Sequence, residues 1–99
     1  MLTHEQIVQA VEKAATKFPL KKVLYFGSYA DGSATEESDL DVLVEFPKDV
    51  RISLLDVIDF KQNLEDELSI NVDVVGLPLT ERAQKYLKIR KSVPVYERT

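Results

Sequence analysis

The 99-residue chain contains no cysteine, which removes disulfides, thiolate metal sites and cysteine nucleophiles together. Its chemistry must come from oxygen and nitrogen. The single histidine, His4, has no second imidazole to share a metal with and falls in the first turn of an expected helix, where an exposed polar side chain is the ordinary finding. Positive charge is also short: 13 Lys and Arg against 17 Asp and Glu leave a formal net charge of −4. A surface built to track a nucleic-acid backbone shows clustered Lys and Arg instead, so no direct nucleic-acid binding is expected. No apolar run approaches the ~20 residues of a spanning helix, and no basic segment followed by an apolar one opens the chain. The expectation is no membrane association and a cytoplasmic location.

What remains is an ordinary globular composition, 44% hydrophobic and 30% charged, which argues against disorder. A chain of this length holds one core, so residues 1–99 are expected to form a single domain. Ile7, Val8, Val11, Ala15 and Phe18 fall at helical spacing behind Thr3 and Gln6 in capping-box positions, with Pro19 as a stop. Residues 21–26 are branched and aromatic and end at Gly27, which predicts a buried strand closed by a turn. A helical turn and then a loop follow over 28–38, and 40–46 form a second strand ended by Pro47. Leu54, Leu55, Ile58, Leu64 and Leu68 lie at helical spacing behind Ser53, with Asp56 three residues on as a helix-start signature. Residues 70–78 predict a third strand, 80–92 a third long helix led by Thr80, and the remainder a short tail. The order describes an α/β (α+β) layer with a three- or four-stranded mixed sheet packed against helices.

Asp39 and Asp41 stand at the entrance of the second strand. Side chains two apart on a strand leave the same face, ~6.5 Å apart at their alpha carbons, so both carboxylates enter one small space. Two ionised acids so close repel unless a cation neutralises them, and magnesium suits the role because it takes a few carboxylate oxygens and keeps other positions for water and phosphate. Asp73 places a third acid among branched residues, where a strand prefers neutral side chains. If the third strand lies beside the second, the acids meet, and carboxylates holding one or two metals are the apparatus for in-line displacement at phosphorus. An Asp-x-Asp pair alone is common by chance. Its weight comes from Gly27 and Ser28, separated from Asp39 by ten residues, where a strand ends and a helical turn begins. Backbone N–H groups at such a turn attract phosphate, glycine permits close approach and serine adds a donor.

These residues resemble the nucleotidyltransferase superfamily headed by DNA polymerase beta, through its G-S-x(10)-D-x-D signature. The similarity is closest to the minimal nucleotidyltransferases, the antitoxins of HEPN toxin-antitoxin pairs, and spans nearly the whole chain. The resemblance implies a small nucleotidyltransferase fold and a magnesium-dependent enzyme that transfers AMP from ATP to a tyrosine hydroxyl of a partner HEPN-domain toxin. It assigns Asp39 and Asp41 to the metals, Gly27 and Ser28 to the nucleotide phosphates, and Asp73 to the metal site or to activation of the attacking hydroxyl. One position departs: Asp31 stands where the antitoxin family commonly has arginine, and an acid beside a triphosphate repels it. Two other readings remain open, a catalytically weakened module that neutralises its toxin by contact, and transfer to a small acceptor such as an aminoglycoside. Tyr86, Leu87 and Tyr96 are candidate partner contacts, although such residues at helical spacing more often pack in a core.

Overall fold

The structure is a computed structural model that describes residues 1–76 and 91–98. Helix α1 (His4–Ala14) begins where Thr3 accepts the Gln6 N–H while the Gln6 side chain accepts the Thr3 N–H, the expected capping box. Strand β1 (Lys22–Phe26) leads through Gly27 into the four-residue helix α2 (Ser28–Asp31). Strand β2 (Leu40–Glu45), helix α3 (Leu54–Leu68) and strand β3 (Val72–Gly76) follow. Strand β4 (Ser92–Glu97) closes the order. Among the described residues no helix is long and apolar enough to cross a membrane.

The strands form one sheet in the order β3-β2-β1-β4. β1 is antiparallel to both β2 and β4, whereas β2 and β3 run parallel, the arrangement that the α3 crossover between them requires. This is the expected mixed sheet, in its four-stranded form. The fourth strand is the stretch read from sequence as a tail. Val93, Val95 and Tyr96 are half-buried against the core, and Pro94 is tolerated because β4 has a neighbour on one side only among the described residues. Tyr96 is therefore a packed strand residue in register with Val23. The expected helix over 80–92 lies outside the described residues except at its end, where Ser92 belongs to β4; Tyr86 and Leu87 also fall outside.

The core lies on one face of the sheet. Val23, Tyr25, Leu40, Val42, Val44 and Val72 meet Ile7, Ala10, Val11 and Ala14 of α1 and Phe60, Leu64 and Leu68 of α3. Phe18, beyond the end of α1, meets Phe60 edge-on at 5.7 Å between ring centroids. The expected apolar stripe of α3 is corrected at its start: Leu54, Leu55 and Ile58 are exposed, and Phe60, Leu64 and Leu68 carry the packing. Residues 60, 64 and 68 are four apart and share a helix face, which Leu54 and Leu55 do not extend. His4 is exposed as expected, and its Nδ1 lies 2.8 Å from the hydroxyl of Tyr25, so it has a hydrogen-bonding role. Burial pushes the Tyr25 hydroxyl above its ordinary pKa.

Glu65 joins α3 to the start of β3. Its carboxylate accepts the Val72 N–H at 3.0 Å and the Lys61 ammonium at 3.1 Å, and these bonds, the backbone one foremost, hold its pKa below the usual glutamate value. A depressed carboxylate contributes stability that is present above its unfolded pKa and lost as pH falls through the folded one. The melting temperature of Glu65→Gln, which keeps an acceptor for Val72 but no charge, should therefore fall less steeply than that of the parent chain below about pH 5; parallel melting curves across that range would remove Glu65 from the acid response. Phe60→Ala should cost about 3–5 kcal/mol in chemical denaturation, since Phe60 is fully buried at the centre of the core.

Candidate active site

The site is assembled where β1 ends and β2 and β3 begin. Because β1 runs antiparallel to β2, its last residue, Phe26, is paired with Asp41, and because β3 runs parallel to β2, Asp73 is paired with the same Asp41. Neighbouring residues in register present their side chains on the same face. Asp41 and Asp73 thus share the face opposite the main core, since Leu40, Val42 and Val72, one residue to either side, turn inward. Phe26 and Leu43 line that second face, each 8% exposed and outside the main core cluster.

Gly27 stands at the junction with φ 73° and ψ −145°, a conformation essentially restricted to glycine. Space imposes the same choice, because a Cβ there would overlap the Oδ2 atom of Asp41. The backbone of the glycine turn and the Asp41 carboxylate are therefore direct neighbours. α2 starts at Ser28, which is half-buried, and the first N–H groups of any helix have no acceptor inside it. The carbonyl of Ser28 accepts the N–H groups of Ser33 and Ala34 at 3.0 and 3.1 Å, folding the exit of α2 back over its beginning.

Asp39 is exposed, two residues before Asp41, and its backbone is held from both sides. On one side Ser38 closes a turn with Thr35: the Ser38 N–H donates to the Thr35 carbonyl at 3.0 Å, and the Ser38 hydroxyl accepts the Thr35 N–H at 2.8 Å. On the other side Leu40 is fully buried and donates its N–H to the Asn71 carbonyl at 3.1 Å. Residues 35–38 had read from sequence as plain loop; Thr and Ser three apart was the available signal.

Asp31, the last residue of α2, is exposed, and its Oδ1 accepts the N–H of Ser33 at 2.9 Å and the Ser33 hydroxyl. Its own N–H donates to Gly27, one helical turn from the glycine junction. Lys21 pairs with Glu45 at 3.7 Å, at the opposite end of β1 from Gly27.

Of the three acids expected from the sequence to come together, the sheet sets two, Asp41 and Asp73, side by side, and Asp39 lies outside the strands. Among the described residues no three acidic or imidazole groups are gathered closely enough to hold one ion. Magnesium is satisfied by one or two carboxylates with water and phosphate oxygens. The donor set fits that ion: hard oxygens only, two of them on adjacent strands in register, beside a cradle that a single methyl group would fill.

A family model for the nucleotidyltransferase domain matches residues 7–96. The chain belongs to this family. A relative in Thermococcus cleftensis, the protein adenylyltransferase MntA, is 37% identical over 79 residues, covering 76% of this chain and 78% of the relative. A relative in Methanocaldococcus jannaschii, provisionally named a protein adenylyltransferase, is 39% identical over 59 residues, so that the match spans 60% of this chain and only 59% of that protein. Among solved structures, a provisionally named minimal nucleotidyltransferase superposes with a TM-score of 0.73 at 32% identity, over 94% of this chain and 96% of that one. A chain from the complex of tri-AMPylated Shewanella oneidensis HEPN toxin with MNT antitoxin superposes at 0.71 over 97% of this chain and 74% of that one; at 17% identity it shows the fold alone.

The two positive-φ glycines separate space from conformation. Gly32, at φ 85°, has nothing within 4 Å of where a Cβ would stand, so Gly32→Ala carries only the left-handed backbone cost of about 1–2 kcal/mol. Gly27→Ala adds the collision with Asp41 and should destabilise the fold by at least about 1 kcal/mol more. Combining it with Asp41→Ala should recover part of the loss; denaturant titrations showing strict additivity would mean that the two residues do not compete for the same space.

Proposed function

We propose that the chain is a single-domain protein adenylyltransferase of the antitoxin type, which transfers AMP from ATP to a tyrosine hydroxyl of a partner HEPN-family toxin in the cytoplasm, with magnesium. The observation that carries this reading is the contact of the Gly27 turn with the Asp41 carboxylate, with Asp73 in register beside it. The names carried by the relatives, protein adenylyltransferase MntA and an AMPylated HEPN toxin with its antitoxin, support it.

In this reading Gly27 and Ser28 hold the triphosphate, the glycine by letting phosphate approach its backbone and the serine by donating a hydrogen bond. Asp39 and Asp41 would hold magnesium, with Asp73 completing the set or taking the proton of the attacking tyrosine. Magnesium would supply charge neutralisation of the attacking and leaving oxygens. The tyrosine oxygen forms a bond to the α-phosphorus, the bond from that phosphorus to the bridging oxygen breaks, and pyrophosphate leaves with the electron pair. Asp73 is next to Asp41 and exposed, so it is accessible to an acceptor that arrives on a second protein.

The test is incubation with a HEPN-family toxin and ATP labelled in the α-phosphate. Label should appear on tyrosine of the toxin only with magnesium, and should be lost in Asp39→Asn and Asp41→Asn, which keep the fold. Asp73→Asn should retain toxin binding and lose most transfer, because an acid that orients metal or accepts a proton acts mainly in the transition state. Binding to the toxin with no label would favour the contact-only module, and labelling of an aminoglycoside in place of the protein would favour the small-acceptor enzyme.

Asp31 is the residue that favours a weakened enzyme. Its alpha carbon lies one turn from Gly27, and at ~7 Å and an effective dielectric near 40 each added like charge costs on the order of 1 kcal/mol. Asp31→Arg should tighten ATP binding several-fold at low salt, with the gain shrinking as salt screens it. Equal affinities at low salt would place the carboxylate outside the field of the triphosphate.

A further inference from the structure

Asp39 is the one acid of the proposed metal site that stands outside a strand: it is exposed, precedes β2 and lacks a strand partner of its own. A carboxylate in that position binds an ion well only if its backbone is already fixed, because otherwise binding must order it first. Two anchors fix it. The Leu40 anchor is the sheet itself. The Ser38 anchor is local, a turn in which one hydroxyl does the closing: Ser38 Oγ accepts the Thr35 N–H at 2.8 Å and lies 3.4 Å from the Thr35 hydroxyl. The Thr35 hydroxyl in turn accepts the Glu37 N–H at 3.3 Å. Serine and threonine side chains that satisfy backbone groups this way hold a turn in one geometry.

We propose that Ser38, held by Thr35, is a positioning residue for the metal site: its hydroxyl fixes the backbone of Asp39 so that this carboxylate is presented beside Asp41 before the ion arrives. The inference rests on the function proposed above. It assigns no ligand role to Ser38, whose hydroxyl is committed to the turn. Removing that hydroxyl leaves the Asp39 carboxylate chemically intact and loosens only the segment that aims it. The resulting defect is one of metal affinity, of the size that groups supporting a ligand ordinarily produce, about tenfold or more.

The experiment uses manganese(II) as the probe, titrated into the chain with a non-hydrolysable ATP analogue and followed by the paramagnetic resonance of the free ion, with thermal unfolding recorded on each variant without metal. Ser38→Ala should weaken manganese binding about tenfold while shifting the metal-free melting temperature little. Ser38→Thr, which keeps the hydroxyl, should restore most of the affinity, and Thr35→Val, which keeps the N–H donor to Ser38 and loses only the weaker contacts, should fall between. In transfer assays the Ser38→Ala defect should be relieved by raised metal concentration, which an unspecific folding defect would not allow. Unchanged manganese affinity in Ser38→Ala alongside a clear loss in Asp39→Asn would overturn the positioning role and leave the metal site standing. Unchanged affinity in Asp39→Asn and Asp41→Asn as well would overturn the metal assignment, and the role of Ser38 with it.

Discussion

The register between β2 and β3 is the constraint on which the candidate site depends. Parallel pairing sets Asp41 against Asp73 and Leu40 against Val72, and a slip of one residue would move every side chain of β3 to the other face. Leu40 and Val72 are both fully buried, so such a slip would place a carboxylate in the core and a valine in the site. Packing of apolar residues on one face therefore holds the acids in place on the other. The packing of α1 and α3 on Leu40, Val42 and Val72 thereby fixes the register that sets Asp41 beside Asp73.

Topology then decides which end of the sheet carries chemistry. With β1 antiparallel to β2 and β2 parallel to β3, the end of β1 and the beginnings of β2 and β3 coincide. The glycine turn follows the first, and the acids stand at the entrance of the other two. Ten residues separate Ser28 from Asp39 in the chain, and the short helix α2 with its folded exit brings them back to the same edge. Gly27 is needed there twice over, once for its backbone angles and once because Asp41 occupies the place of a side chain.

Much of this was legible in the sequence, for identifiable reasons. Capping boxes at Thr3 and Ser53 marked the two long helices of the described residues because the reciprocal bonds involve residues three apart. Strands β1, β2 and β3 were marked by branched runs between turn residues. The fourth strand was not: Pro94 within 92–97 reads as a break, which the one-sided pairing of β4 among the described residues makes acceptable. The start of α3 misled in the opposite direction, since Leu54, Leu55 and Ile58 repeat like core residues and yet face solvent. Periodicity reports which residues could share a face and is silent on whether another element covers it. At the site, the identities of the five motif residues were readable and their neighbours were not. That a methyl group on Gly27 would strike Asp41, and that Ser38 closes a turn on Thr35, are facts of three-dimensional approach with no periodic trace.

The balance of charge at this edge sets the remaining demand on the protein. Asp39, Asp41 and Asp73 are joined nearby by Asp31, and Lys21 is at the far end of β1, paired with Glu45. In the function proposed above, a triphosphate that enters beside these carboxylates is helped by a cation held between them. In that reading nucleotide binding is coupled to metal binding, because the ion bridges carboxylate and phosphate oxygens at once. The coupling has a structural requirement: the carboxylates must be presented together before the ion arrives, or the free energy of ion binding is spent on gathering them. Strand register meets it for Asp41 and Asp73. Asp39, standing ahead of the strand, is held by Leu40 on one side and by the Ser38 turn on the other, and under the proposal above the geometry of that four-residue loop bears on the affinity for a nucleotide that the loop itself has no need to touch.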